Sequence, residues 1–489
     1  MSGEMDGELP FRVLKPATSD GALARLGRLE LPGRKSLDTP NFFGVTSRGA
    51  IPHLTPDTIL KYTQTNGVYM ALEDFVEKSG KRATPALFTS PTDADGRRLH
   101  SYTATPSDVT IVLGPRRHPA VISPGGNGAT YVSICTSTGF QSLDMERYCN
   151  SVATVKPDVV IPLADLTFGP GISSAKRQRR MVERTEEWVE AFFKTLDPQE
   201  VLKPAGIHAF APLLPVEYPM QWEYLNRLSE DHAHHLSGLA VYDANILADL
   251  QQHKPLVDLP RLSMDPPASP HHILRQVRMG VDVLTIPFLN SISDQGIALT
   301  FSFPLSQTED GRILPLGLNM WLKEHQVSLS PLEEGCSCYA CTKHHRAFLQ
   351  HLLNAKEMLG WNLLQIHNLH VMTQFFEAIR VAIADGSFEE KARDFARAYD
   401  PELPLGTGEP PRSRGYHFKS IANQPKINEP PWQALEGDKG EDQVLAGEIA
   451  GLVVTGHSAV GGETPLVPDA DADAADLDQS GFAEVEKRA

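Results

Sequence analysis

Residues 335–368 read GCSCYACTKHHRAFLQHLLNAKEMLGWNLLQIHN. Cys336, Cys338 and Cys341 put three thiols on one tight loop, with Gly335 giving backbone freedom just before the first. The chain has five cysteines in 489 residues, too few for a disulfide scaffold, and Cys135 and Cys149 stand far from this group. The cluster reads as a metal site. Zinc accepts soft sulfur and borderline nitrogen, and a structural site closes its tetrahedron with a fourth protein ligand. The residues alone leave that ligand open among His344, His345, His351, His367 and His370. The competing reading is a chance grouping of thiols with His367 as a packed core histidine. An open catalytic zinc is disfavoured, since three thiolates donate much charge and blunt Lewis acidity.

After the loop, apolar residues recur at spacings of three and four. This predicts two helices, 343–359 (KHHRAFLQHLLNAKEML) and 362–383 (NLLQIHNLHVMTQFFEAIRVAI), joined around Gly360. Before the loop, eight β-type runs stand between helical stretches. They are 39–45 (TPNFFGV), 68–72 (VYMAL), 130–137 (TYVSICTS), 158–163 (DVVIPL), 206–213 (GIHAFAPL), 237–242 (SGLAVY), 260–264 (PRLSM) and 281–288 (VDVLTIPF). Several are apolar throughout, as strands covered on both faces are. Helical spacing marks 177–196, through Met181, Val182, Trp188, Val189, Phe192 and Phe193, and 272–279. Eight strands with interleaved helices predict an α/β fold, a (β/α)8 TIM barrel, with an open doubly wound sheet as the rival.

The expected organisation is a loose leader at 1–15, a barrel at 16–330, a metal-binding helical subdomain with closing helices at 331–400, and a linker with a mostly disordered acidic tail at 401–489. The tail, 431–489, holds 13 acids and 3 bases, while the whole chain carries a net charge of −16. The body is therefore only mildly acidic, which argues against a dedicated nucleic-acid binder with a large basic surface. Local basic clusters remain at 174–180 (SAKRQRR), at Arg116 and Arg117, and at 343–346 (KHHR). No apolar run approaches the ~18–20 residues of a membrane span. The acidic start MSGEMDGELP lacks the apolar core of a secretory signal.

The segment 335–368 resembles the zinc-binding segment of tRNA-guanine transglycosylases, enzymes that exchange guanine in tRNA for queuine or a precursor. Four further segments agree in order: 39–45 (TPNFFGV), 137–141 (STGFQ), 237–241 (SGLAV) and 280–285 (GVDVLT). The resemblance covers about 25–400. It implies one structural zinc held by Cys336, Cys338, Cys341 and His367, and a barrel with the zinc subdomain inserted near its C-terminal end. The run 280–303 followed by GCSCYAC is most like a non-catalytic eukaryotic branch of the family.

The departures from the catalytic pattern bear on function. The family places a carboxylate nucleophile at the end of the last barrel strand, and the matching position here is Thr285. Asp282 lies three residues earlier, about 10 Å away and on the opposite strand face. A second family carboxylate falls at Thr136, with Thr138 replacing a glycine beside it. A third, base-recognising aspartate falls at Ala164, with Asp165 one place along. Two arginines that grip the anticodon loop fall at Ser291 and Asp294. Displacing a base from ribose passes through an oxocarbenium-like transition state that a carboxylate stabilises and then traps. A threonine hydroxyl brings no charge.

The resemblance therefore implies a protein that is not an enzyme by itself. Its expected partner is a catalytic queuine tRNA-ribosyltransferase subunit, in a heterodimer that holds tRNA through the complex. Its expected location is the cytoplasm, with peripheral attachment to the mitochondrial outer membrane as a variant. The helical segment adds an apolar load in Phe348, Leu352, Leu353, Trp361, Leu363, Leu364, Phe375 and Phe376, more than a two-helix unit is expected to bury internally, so it also reads as an interface. Two rivals remain: an active transglycosylase with an altered nucleophile, and a stand-alone zinc RNA-binding protein.

Overall fold

A computed structural model describes residues 10–411, apart from short stretches at 18–22, 77–83, 93–95, 124–125, 137–138, 169–172 and 306–311. Eight parallel strands close into a barrel: β1 Asn41–Val45, β2 Gly67–Ala71, β3 Thr110–Gly114, β4 Val159–Val160, β5 His208–Leu213, β6 Gly238–Val241, β7 Arg261–Ser263 and β8 Val283–Thr285. Each pairs with the next in sequence, and β8 pairs with β1 to close the ring. The strands divide their side chains at period two. Phe43, Tyr69, Val112, Val159, Phe210, Ala240, Leu262 and Val283 fill the interior. Their neighbours Phe42, Val68, Ile111, Val160, Ala209, Leu239 and Leu284 pack outward with the helices. The interior is tight enough that a Cβ on Gly67 would lie 2.2 Å from the Phe43 ring.

The strand count came out right through two errors that cancel. Residues 131–144 are not in the barrel: Tyr131–Thr136 and Gly139–Asp144 form an antiparallel hairpin. The true third strand, TIVLG at 110–114, was missed, being a short apolar run set among Pro, Ser and Asp. The β-branched 130–137 run has the stronger local propensity, and propensity does not distinguish a barrel strand from a hairpin.

A three-stranded antiparallel sheet, Phe11–Lys15, Leu26–Leu29 and Leu37–Thr39, adds Phe11, Leu29 and Leu37 to the barrel-interior cluster. Residues 11–15 are thus a paired strand rather than a loose leader, while 1–9 lie outside the described residues. Ion pairs lock the adjacent N-terminal ends of the barrel strands. Arg25 meets Asp282 at 2.6 Å, just before β8, and Asp158, just before β4, takes Arg97 at 2.7 Å and Arg34 at 2.9 Å.

The predicted helices appear as α1 Ala175–Thr195 and α2 Pro270–Arg278, and α3 Phe288–Asp294 follows β8. A two-stranded sheet, Ile297–Leu299 with Gly317–Asn319, leads to α4 Tyr339–Lys343, α5 Arg346–Asn354, α6 Met358–Asp385 and α7 Phe388–Ala398. The break between the two long helices falls at 355–357, with Lys356 at φ +56, not at Gly360. Gly360 lies inside the first turn of α6, where a Cβ would come within 3.2 Å of both Leu352 and Leu353. Its role is close approach between helices rather than a turn.

Residues 401–411, read as linker, pack against the body: Asn319 Nδ2 donates to Thr407 Oγ1 at 3.0 Å, and Lys356 pairs with Glu409 at 2.6 Å. The rest of the linker and the acidic tail lie outside the described residues. No described helix is long and apolar enough to cross a membrane.

Candidate metal centre and barrel mouth

Cys336, Cys338, Cys341 and His367 bring their ligand atoms within 4.8 Å of one another. Each of the three sulfurs faces His367 Nδ1, at 3.8, 3.5 and 3.4 Å in chain order. A zinc bound at ~2.3 Å to sulfur and ~2.0 Å to nitrogen in a tetrahedron separates those atoms by about 3.5 Å, so the donor set fits. Gly335 sits at φ +78, a left-handed conformation that glycine adopts without strain. Cys338 caps α4, its sulfur accepting the Cys341 N–H at 3.3 Å. His367 is fully buried, and its Nε2 lies 2.7 Å from the Leu299 carbonyl. That contact makes Nε2 the protonated nitrogen and leaves the Nδ1 lone pair aimed at the sulfurs. Burial works against a charge on this imidazole, yet the sulfurs of Cys336 and Cys341 outweigh it and push the group up to about 10. The centre thus favours positive charge.

The rival histidines have other contacts. His370 lies 3.4 Å from Ser337 Oγ, His345 accepts the Phe348 N–H at the start of α5, and His344 stacks on Phe348. The ligands belong to a small core that includes Leu332, Leu349, Leu353, Trp361, Leu363 and Leu364. From Ile366 onward, α6 joins the main barrel core instead. This overturns the argument from apolar load: Leu352, Leu353, Trp361, Leu363, Leu364, Phe375 and Phe376 are all buried within the chain, and only Phe348 is partly exposed. One 28-residue helix serves two cores, which the segment-by-segment count had not foreseen. The exposed apolar residues of this region are different ones: Leu322, Val327, Leu329, Met358 and Leu359.

At the barrel mouth, Thr285 ends β8, is fully buried, and donates its hydroxyl to the Ser263 carbonyl at 2.8 Å. Asp282 accepts Arg25 Nε at 2.9 Å and Arg25 Nη2 at 2.6 Å, together with the Arg261 N–H at 2.8 Å. It is committed to the opposite end of the strand. Thr136 is also fully buried, donating to the Gly139 carbonyl at 2.9 Å and accepting from Gln141 at 2.8 Å. Thr138 lies outside the described residues. Ala164 lines a cavity, whereas Asp165 accepts both Arg177 Nη1 and Nη2, at 2.6 and 2.5 Å, and Asn127 at 2.8 Å. The one-residue offset between them therefore holds in space.

The basic clusters are largely engaged within the chain. Arg177 serves Asp165, Arg117 meets Asp74 at 2.5 Å, and Arg116 is buried. Arg346 donates to the carbonyls of Pro331 and Leu332, while Lys343 is exposed. Ser291 is exposed, and Asp294 meets His53 at 2.6 Å, whose ring stacks near Trp361. Sequence reasoning missed the partners Arg25, Glu73 and Asp74. Glu73 accepts the backbone N–H groups of Arg117 and Cys135, each at 2.7 Å, and so ties β2 to the hairpin. Their separations in sequence give no local signal.

Residues 20–401 match the family described as queuine tRNA-ribosyltransferase. The chain is 34% identical over 426 residues to a Schizosaccharomyces pombe protein called queuine tRNA-ribosyltransferase accessory subunit 2, covering 86% of this chain and 91% of that one. It is 31% identical over 395 residues to a protein of the same name from Drosophila virilis, covering 77% and 90%. It is 29% identical over 413 residues to the one from Anopheles gambiae, covering 78% and 89%.

Proposed function

The chain belongs to the queuine tRNA-ribosyltransferase family, and we propose that within it this protein is the non-catalytic accessory subunit of a heterodimer. The catalytic partner exchanges guanine for queuine at the anticodon wobble position, and this subunit helps it hold tRNA. The observation that carries the reading is Thr285, which stands where the family resemblance calls for a nucleophile and spends its hydroxyl on the Ser263 carbonyl. A neutral, buried, bonded hydroxyl offers an oxocarbenium centre neither charge nor a free lone pair directed at carbon. Asp282 offers no substitute, being held by Arg25.

In this reading one zinc ion is held by Cys336, Cys338, Cys341 and His367. It supplies no chemistry to a substrate and fixes the loop against α6. The partner docks on the exposed apolar residues of the same region, Val327 and Leu329 foremost, at 85% and 76% exposure. Large exposed apolar side chains of this kind mark contact surfaces.

The test is co-expression with a catalytic paralogue. A 1:1 complex is expected, and Val327→Asp with Leu329→Asp should weaken both the complex and base exchange. Full activity of the paralogue without this chain contradicts the role.

A further inference from the structure

Just beyond the C-terminal ends of β2, β3, β4, β6 and β7 lies a cavity of about 400 Å³, large enough for a small organic molecule. Of the positions matched to family carboxylates, only Ala164 lines it, so the cavity is not a remnant of the Thr285 and Thr136 positions. Its walls are mainly apolar and aromatic, with Tyr69, Phe168, Leu166 and Met264 among them.

Three polar groups on these walls are incompletely used. Arg116 is 8% exposed and has no carboxylate within ion-pair distance among the described residues. Its Nε serves the Ser133 carbonyl at 2.8 Å, one terminal nitrogen serves Asn127, and the guanidinium lies over the Phe168 ring at 5.2 Å. The nearest acids, Glu73 and Asp165, already have Arg117 and Arg177 as partners. His118 has a buried Nε2 with no hydrogen-bond partner. Tyr242 makes no hydrogen bond among the described residues, while its ring and hydroxyl line the same space. Buried charges are nearly always paired, and buried polar groups nearly always bonded. Here the missing partners point into one cavity.

We propose that this cavity binds a small planar aromatic monoanion. Its ring would pack between the aromatic and apolar walls, and its anionic group would pair with the terminal nitrogen of Arg116, within reach of Tyr242 Oη and His118 Nε2. A neutral ring would leave the guanidinium unmatched. A dianion such as a phosphate monoester would bring more charge than one arginine and two neutral donors offset. The assignment goes beyond the accessory role and does not depend on it.

Isothermal titration of the full-length protein with 2-naphthoate and its neutral isostere 2-naphthamide tests it. The carboxylate is expected to bind at one site per chain, about tenfold more tightly than the amide, the worth of one charged hydrogen bond. Arg116→Gln should erase that preference, and Tyr242→Phe should weaken naphthoate several-fold. Should Arg116→Gln fail to fold, Tyr242→Phe decides alone. Absence of saturable binding, equal affinity for the two probes, or naphthoate binding unaltered in either folded variant overturns the proposal. None of these outcomes bears on base exchange, so the accessory reading stands or falls separately.

Discussion

The metal centre and the barrel mouth use similar means to opposite ends. At the centre, four side chains from a loop and a distant helix point their donor atoms at one another, and His367 is oriented by the Leu299 carbonyl so that its free nitrogen faces inward. At the mouth, the two threonines turn their hydroxyls onto backbone carbonyls of Ser263 and Gly139. The first arrangement leaves lone pairs converging on an empty point. The second leaves nothing directed at a substrate. A site is recognised by what its polar atoms lack, and by that criterion the centre reads as complete for a metal and the mouth as incomplete for glycosyl transfer.

The contrast can be broken most easily at the centre. Cys338→Ser is expected to abolish stoichiometric zinc and unfold α4 and α5, since the binding free energy of a structural zinc is folding free energy, on the order of 10 kcal/mol in small zinc domains. Metal analysis with circular dichroism checks this. Full zinc content with native stability would remove the metal assignment.

Asp282→Asn should destabilise the barrel by about 3–5 kcal/mol, because it leaves Arg25 as a buried charge without its partner. A surface-like cost below ~1 kcal/mol in denaturant unfolding would mean Asp282 is free for other work.

Arg177→Gln should cost roughly 1–3 kcal/mol at neutral pH. Burial works against the charge on Asp165, but the hydrogen bonds from Arg177 and Asn127 outweigh it and hold the carboxyl below its ordinary range. A depressed carboxyl stabilises the fold above its unfolded value, ~3.9, and that contribution is lost as pH falls through the folded value. The gap between variant and wild type should therefore be constant from pH 5 to 7 and shrink below pH about 4. A gap independent of pH would place Asp165 outside the network.

The smallest effect is expected at the mouth itself. Thr285→Val removes one hydrogen bond and should cost about 1 kcal/mol. It should leave base exchange by the complex unaltered.

Much of this was readable in advance where local pattern and tertiary role coincide. The barrel strands are apolar because both faces are covered, and the CxCxxC loop carries its ligands within six residues. What escaped reading depends on distance along the chain. The Arg25–Asp282 pair spans 257 positions, and Arg116 looks like surface charge until the hairpin folds over it. The apolar load of α6 was misjudged because its second half covers the barrel, a fact visible only once the barrel exists.

The central claim is that this chain supports base exchange without performing it. The most direct measurement is incorporation of labelled guanine or queuine into tRNA by the purified chain, by a catalytic paralogue alone, and by the two together. The account predicts no incorporation above background for this chain, for either wild type or Thr285→Asp, and incorporation by the mixture well above that of the paralogue alone. Turnover by the isolated wild-type chain would contradict it.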